Sequence, residues 1–189
     1  DGWVRFGQRY LPQDAVAWTA REAARLGMEA WAYTDERWIL AEMTPLAQEE
    51  ILITGSRPEL ADIAGRGDVT KMLLFPTRPE HEALVTQVKA IPGLDLVHSN
   101  PGYLDVVDAE SAATKGGDFL IAELGIGWAD VVAIGDGEND LGMLSKAGVA
   151  CCLGAITPGQ LAPATPGQRR VDCADLYEVI AFLGSLEAG

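Results

Sequence analysis

Apolar residues recur at helical spacing through "PQDAVAWTAREAARLG", residues 12–27. Pro12 suits a first turn, the alanines favour helix, and Gly27 suits a C-terminal cap, so the pattern predicts a helix. "MEAWAYT" and "RWILAE" then alternate like two strands around a polar "TDER" turn. The order returns further on. "PEHEALVTQVKAI" reads as a helix ending before Pro92-Gly93, and "LDLVHS" and "YLDVV" read as strands flanking a turn at Asn100-Pro101-Gly102. Between the two copies the pattern predicts a strand at "EEILITG", a short helix around "RPELADIA" and a strand at "VTKMLLF". Two helix-strand-strand units can pair into one antiparallel sheet with helices on one face. Residues 1–107 are therefore expected to form an α+β module.

After Val107 the pattern changes. "SAATKGGDFLIAELGI" reads as one helix in which Gly117 is a mild liability. "DVVAIGD" is a short, wholly apolar strand, as expected where both faces are buried in a parallel sheet. A helix from about Asn139 to Lys146 follows, then a strand at "GVACCLG". "AITPGQLAPATPGQRR" reads as a loop and "ADLYEVIAFLGSL" as an amphipathic helix. Strands alternating with helices predict a doubly wound α/β arrangement over residues 108–189.

Composition narrows the function. The chain has 189 residues and a net charge of −14. Such an acidic chain is a poor partner for nucleic acid, which needs basic patches. It also repels free anions, so an anionic substrate requires a local cation. No apolar run approaches the ~20 residues of a membrane helix, and no signal peptide is visible. The three cysteines, Cys151, Cys152 and Cys173, form no CxxC pair and read as free thiols in a reducing cytoplasm. His81 and His98 have no ligand spacing and read as structural or surface residues.

One stretch carries chemistry: "VVAIGDGENDLGML". Ligands of open α/β sheets sit beyond the carboxyl ends of the strands, which is where this knot of acids falls. Gly135 and Gly137 allow a tight turn. Asp136 projects from the strand tip, and Asp140 follows where a helix dipole favours its charge. Oxygen donors on so short a tether suit Mg²⁺, which takes one or two carboxylates plus water and substrate oxygens. Asn139 offers an amide donor for a phosphoryl oxygen. The bland alternative is a capped helix, with Asp136 or Asn139 serving its first amides. It accounts for any single residue but not for the whole string.

"GDGENDLGML" resembles the fourth motif of the haloacid dehalogenase superfamily of phosphatases, in the form typical of its Cof-type subfamily. "TKGGDFLIAELGI" resembles that subfamily's third motif, and the repeated helix-strand-strand pattern resembles its αββ-type cap. The resemblance covers nearly the whole chain. It implies a parallel-sheet α/β core with an α+β cap. It also implies a Mg²⁺-dependent phosphatase that forms an aspartyl-phosphate on a small phosphorylated substrate such as a sugar phosphate, beneath a cap that closes over it. Asp136 then matches the metal-binding acid and Asp140 the second acid that supports the metal or its waters. Asn139 matches the phosphate-contacting amide. Lys115 matches the lysine that neutralises the phosphoryl group and helps hold the nucleophile.

Several family features have no counterpart. The nucleophilic aspartate of a DxDGT-like motif, the general acid/base aspartate beside it and the second motif's Ser or Thr are not found. "LITGSR", residues 52–57, superficially resembles the second motif but reads as a cap strand and turn. Asp1-Gly2 matches the turn that often precedes the cap, so the first core segments are expected upstream, leaving one edge of "VVAIGD" bare and prone to aggregation. The usual Gly-Asn-Ala after the next strand is also altered, since Ala155 follows Gly154. Other readings are a catalytically inactive binding or regulatory remnant, a mannosyl-3-phosphoglycerate or sucrose phosphatase, and, least in keeping with "LGML", a cation-pump phosphorylation domain. Trp31, Tyr33, Arg37 and Trp38 are candidate substrate contacts, although strand aromatics more often serve packing.

Overall fold

A computed structural model describes residues 7–164 and 166–187. The Asp1-Gly2 turn lies outside the described residues. The chain divides into two compact units, one ending at Ala112 and the other starting at Ala113. Among the described residues no helix is long and apolar enough to cross a membrane.

The first unit runs α1 (Gln13–Arg25), β1 (Glu29–Tyr33), β2 (Trp38–Leu40), α2 (Pro45–Thr54), β3 (Glu59–Leu60), β4 (Lys71–Phe75), α3 (His81–Lys89), β5 (Leu94–Asn100) and β6 (Tyr103–Asp108). The sheet order is β3-β2-β1-β4-β6-β5. All neighbours are antiparallel except β2 and β3, which pair in parallel. Side chains alternate across the sheet. Ala32, Met72, Leu74, Leu104 and Val106 join Val16 and Ala23 of α1 and Leu84 and Val88 of α3 in one core. Trp31, Leu73 and Phe75 project to the other face and pack with Trp38, Leu40 and Ala47 of α2.

The layout therefore differs from helices on one face only, because α2 covers part of the second face. "EEILITG" is the end of this helix, not a strand. "LITGSR" accordingly spans the helix end and the turn after it. The caps decide the matter. Thr44 Oγ1 accepts the Ala47 N–H at 3.0 Å, Pro45 opens the first turn, and Gly55, at φ 70°, donates to the Ile51 carbonyl at 2.8 Å. These closures satisfy helix-end groups that a strand would have to pair elsewhere. The short helix expected around "RPELADIA" is instead the edge strand β3, tied to its surroundings by Glu59 through Arg37 (3.1 Å) and Arg66 (3.5 Å).

The second element group begins with α4 (Ala109–Thr114), within which the unit division falls. It continues with α5 (Gly117–Leu124), β7 (Val132–Gly135), α6 (Leu141–Lys146), β8 (Val149–Leu153), β9 (Arg169–Cys173) and α7 (Leu176–Glu187). β7, β8 and β9 form a parallel sheet in that order. Ala133, Ala150 and Cys152 pack under Leu144 and Ala147 on one face. Cys151 and Cys173 pack with Val179 of α7 on the other. Helices thus flank both faces, and the α/β class inferred from the alternation of elements holds.

Three local expectations fail here. The helix expected over residues 111–126 is two helices, α4 and α5, separated at Lys115 and Gly116, which lie at φ 51° and 76°. The Gly116-Gly117 pair makes the break cheap. Strand β9 begins inside the expected loop, with Arg169 and Arg170 as its first two residues, and runs on through residues 171–173. Arg170 Nε donates to Gln168 Oε1 at 2.8 Å, which anchors that start. Finally, β7 is not buried on both faces. Ala133 and Gly135 are buried, but Val132 and Ile134 are 42% and 40% exposed, and among the described residues β7 pairs only with β8.

The three thiols are buried and unbonded. Burial, first among several causes, pushes each of them up from the ordinary thiol value. A thiolate is the reacting species. Titration of the folded protein with a chromogenic disulfide reagent at neutral pH is therefore expected to be slow, with three equivalents reacting promptly once denaturant is added. Fast native labelling at any of the three would contradict this packing.

Candidate functional site

Strand β7 ends at Gly135, and the turn that follows is organised around Asp140. This carboxylate is 4% exposed. Its Oδ2 accepts the backbone N–H groups of Asp136 at 3.0 Å and Gly137 at 3.1 Å. Its own N–H donates to the Gly137 carbonyl at 2.9 Å, closing a short 3₁₀ turn over Glu138–Asp140. The two glycines are required by proximity. A Cβ on Gly135 would overlap the Asp140 side chain, and one on Gly137 would lie 2.6 Å from Asn139 Oδ1.

The other oxygen of Asp140 reaches the break between α4 and α5. Lys115 Nζ stands 2.6 Å from Oδ1, with the lysine side chain about half exposed (46%). A buried carboxylate must be paired or hydrogen-bonded, and here both oxygens are used. Gly142 makes the approach possible, since a Cβ there would overlap the Ala113 carbonyl, two residues before Lys115. Lys115 is the only non-glycine residue at positive φ among those described.

The predicted residues thus come together unevenly. Lys115, Asp140 and the Asn139 side chain gather at the end of β7. Asp136 also projects there, exposed, and its carboxylate has no hydrogen-bond or ion-pair partner among the described residues. As a free oxygen donor it fits a hard cation. Both Asp140 oxygens already have partners, which shape the turn and hold Lys115. No group of three or more His, Cys, Asp or Glu stands together for a metal among the described residues, so Asp136 would need further oxygen donors from water or substrate.

Sequence reasoning missed Gly142 and the conformation of Lys115. The available signal for the second is the Gly-Gly pair after Lys115, of which the helical pattern makes Gly117 only a mild liability. The aromatic candidates divide. Trp31 is fully buried, with ring centroids 4.8 Å from Trp38 and 4.5 Å from Phe75, and serves packing. Tyr33, Arg37 and Trp38 line a cleft of about 240 Å³ in the first unit with Glu50, Thr54 and Ser56. Burial, then Glu50 and Asp105, push the Tyr33 phenol well above its ordinary value, so it stays neutral.

The backbone of Lys115 generates a stability test. A left-handed conformation costs an L-residue about 1–2 kcal/mol that glycine avoids, offset in part by the greater unfolded-state freedom of glycine. Lys115→Gly and Lys115→Ala both lose the ion pair. Chemical denaturation is expected to find the glycine variant the more stable by about 1 kcal/mol; an alanine variant equal or better would contradict the assigned backbone.

The profile of the haloacid dehalogenase-like hydrolases matches residues 5–165. A phosphoglycolate phosphatase of Aeropyrum pernix is 34% identical over a match covering 36% of this chain and 34% of that protein. The stress response protein YhaX of Bacillus subtilis is 34% identical over 39% of this chain and 25% of its own length. The chain therefore spans about a third or less of the curated relatives it matches. Among solved structures, a haloacid dehalogenase-like hydrolase from Bacteroides thetaiotaomicron superposes with a TM-score of 0.72 at 19% identity, covering 92% of this chain and 68% of that one. A sugar phosphatase of HAD subclass IIB superposes with a TM-score of 0.70 at 19% identity, covering 95% and 69%. These likenesses speak for the fold, whereas the profile match across most of the chain speaks for descent: the chain belongs to the haloacid dehalogenase-like hydrolase family.

Proposed function

We propose that this chain carries the metal- and phosphate-binding part of a Mg²⁺-dependent phosphatase acting on a small phosphorylated metabolite. The observation that carries the reading is the convergence, at the end of β7, of an ammonium group and an unpartnered carboxylate. Lys115 Nζ is drawn there by Asp140 at 2.6 Å, and Asp136 projects from the same turn. In a chain of net charge −14, Lys115 is the local cation that an anionic substrate requires.

The roles follow from the chemistry of each group. Lys115 places positive charge beside the phosphoryl oxygens, where negative charge is spread during transfer. Asn139 donates an amide N–H to one of them. Asp140 keeps the Asp136-Gly137 backbone and Lys115 in register. Asp136 would hold Mg²⁺, which when bound neutralises phosphoryl charge. The nucleophile is an aspartate outside these 189 residues. Its carboxylate oxygen displaces the alcohol from phosphorus, the alcohol leaves with a proton from an acid beside it, and water then releases phosphate. The edge of β7 that pairs with no strand among the described residues supports a further strand there. Relatives named as phosphoglycolate and sugar phosphatases favour a small phosphate ester, with a mannosyl-3-phosphoglycerate or sucrose phosphate as narrower options. The three unbonded thiols suit a reducing cytoplasm.

The same open edge also fits a second reading, a remnant that binds without turnover. The two separate in one assay. The product of the complete open reading frame should hydrolyse p-nitrophenyl phosphate and sugar phosphates only with Mg²⁺. Asp136→Ala and Lys115→Met should each lower kcat/KM about 100-fold or more. Wild-type rates in Asp136→Ala would sink the phosphatase assignment. No turnover by the complete product at any Mg²⁺ concentration would leave the remnant.

A further inference from the structure

We propose that Asp118 is the positioning residue of this site: it clamps the break between α4 and α5 and thereby holds Lys115 against Asp140. What Lys115 is positioned for rests on the phosphatase reading; the clamp itself does not.

The starting point is strain. Lys115, at φ 51°, is the one described non-glycine residue in the left-handed region. Such a conformation persists only where the surroundings over-determine it. Gly116 and Gly117 supply freedom, not constraint, so the constraint must come from elsewhere.

Asp118 supplies it from both its backbone and its carboxylate. Its N–H donates to Thr114 Oγ1 at 3.0 Å, and the same hydroxyl donates to Asp118 Oδ2 at 3.1 Å. This pair of bonds straddles Lys115 and staples the residue before it to the start of α5. Thr114 is 1% exposed and has no room to rearrange. Oδ1 accepts the Trp128 Nε1–H at 2.8 Å. Lys146 Nζ lies 2.9 Å from Oδ1 and 2.7 Å from Oδ2.

Each partner comes from a different segment. Thr114 ends α4, Trp128 lies in the turn before β7, and Lys146 ends α6. α6 starts immediately after Asp140. Asp118 therefore grips both sides of the Lys115–Asp140 pair, through Thr114 next to the lysine and through Lys146 on the helix leading from the aspartate. The Trp128 ring fills the remaining space. A Cβ on Gly117 would lie 2.6 Å from its Cη2, and Lys146 Nζ stands 5.7 Å from the ring centroid. Lys146 and then Trp128 hold the Asp118 carboxyl below the usual carboxylate range, so it is ionised at neutral pH.

An ordinary N-terminal capping aspartate serves only the amides of its own helix. The Asp118 carboxylate instead takes a hydroxyl from Thr114 and an indole and an ammonium from two other segments. The distinction is measurable, because a mere cap would stabilise α5 without governing the Lys115 ammonium.

The test uses the 189-residue protein with ¹⁵N-labelled lysine. There are four lysines, Lys71, Lys89, Lys115 and Lys146, and each ammonium resonance can be assigned by a Lys→Arg substitution. An ammonium held in an ion pair exchanges slowly with water and gives an observable ¹⁵N–¹H signal. Lys71, 3.0 Å from Asp105 Oδ1, is the control for folding of the first unit, and slow labelling of the buried Cys151, Cys152 and Cys173 is the control for the second. Asp118→Asn is expected to raise the Lys115 exchange rate several-fold while leaving Lys71 unchanged. Trp128→Phe, which keeps the ring against Gly117 but removes the N–H, is expected to give a smaller rise, and Asp118→Glu a partial return. Loss of the Lys146 signal alone in Asp118→Asn, with Lys115 unmoved, would overturn the clamp. So would a wild-type Lys115 ammonium that exchanges as fast as Lys89. If the thiols of Asp118→Asn label fast and the second unit so fails to fold, Trp128→Phe decides by the same criterion. Turnover by Lys115→Met at the wild-type rate would remove the phosphatase reading and leave the clamp standing.

Discussion

The site depends on one carboxylate having both oxygens occupied. Asp140 Oδ2 gathers two backbone N–H groups of its own turn, and Oδ1 gathers a lysine from the break between two helices. Burial makes this arrangement obligatory, because an unpaired charge at 4% exposure is costly. The glycines at 135, 137 and 142 follow from the same constraint. Each stands where a Cβ would intrude on Asp140, Asn139 or the Ala113 carbonyl. A turn that bends tightly, an aspartate that fills it and a helix that passes close by are one solution to one packing problem. Asp136 is left free because Asp140 does the structural work.

The parallel sheet explains why the residues meet at that end. β7, β8 and β9 run the same way, so the chain leaves β7 at the sheet's carboxyl edge and enters α6 directly. One face of the sheet is covered by small residues and α6, the other by Cys151, Cys173 and α7. In the first unit the alternation of a six-stranded sheet sends Trp31, Leu73 and Phe75 to one side and Ala32, Met72 and Leu74 to the other.

Much of this was legible in the sequence because it rests on periodicity or on local chemistry. The two helix-strand-strand units, the apolar β7 and the acid-glycine knot each have a pattern confined to a few neighbouring residues. What was not legible depended on competition between signals. In "EEILITG" the β-branched residues argued for strand, while Thr44, Pro45 and Gly55 argued for helix ends, and the caps won because they satisfy backbone groups outright. In "TKGGDF" the helical periodicity hid a break whose cause, the Thr114–Asp118 exchange, only appears when both side chains are placed. The exposure of Val132 and Ile134 could not be read from their apolar character, since composition says what a strand can bury and not what lies beside it. The exchange between Lys115 and Asp140 was foreshadowed only as two members of one site, without the contact that joins them.

The Lys115–Asp140 pair also sets the range over which the site acts. An ammonium 2.6 Å from a carboxylate looks from a distance like a dipole, whose field dies away faster than that of a lone charge. Beyond the Debye length of about 8 Å at physiological salt these fields are largely screened, and at low salt an incoming anion meets mainly the field of a chain carrying −14. Long-range steering therefore works against encounter, and added salt relieves the repulsion. Under the proposed function, capture would begin only at contact, when phosphoryl oxygens can share the ammonium with Asp140. Recognition at this turn is thus short-sighted: it rewards a ligand that fits over one that is merely negative.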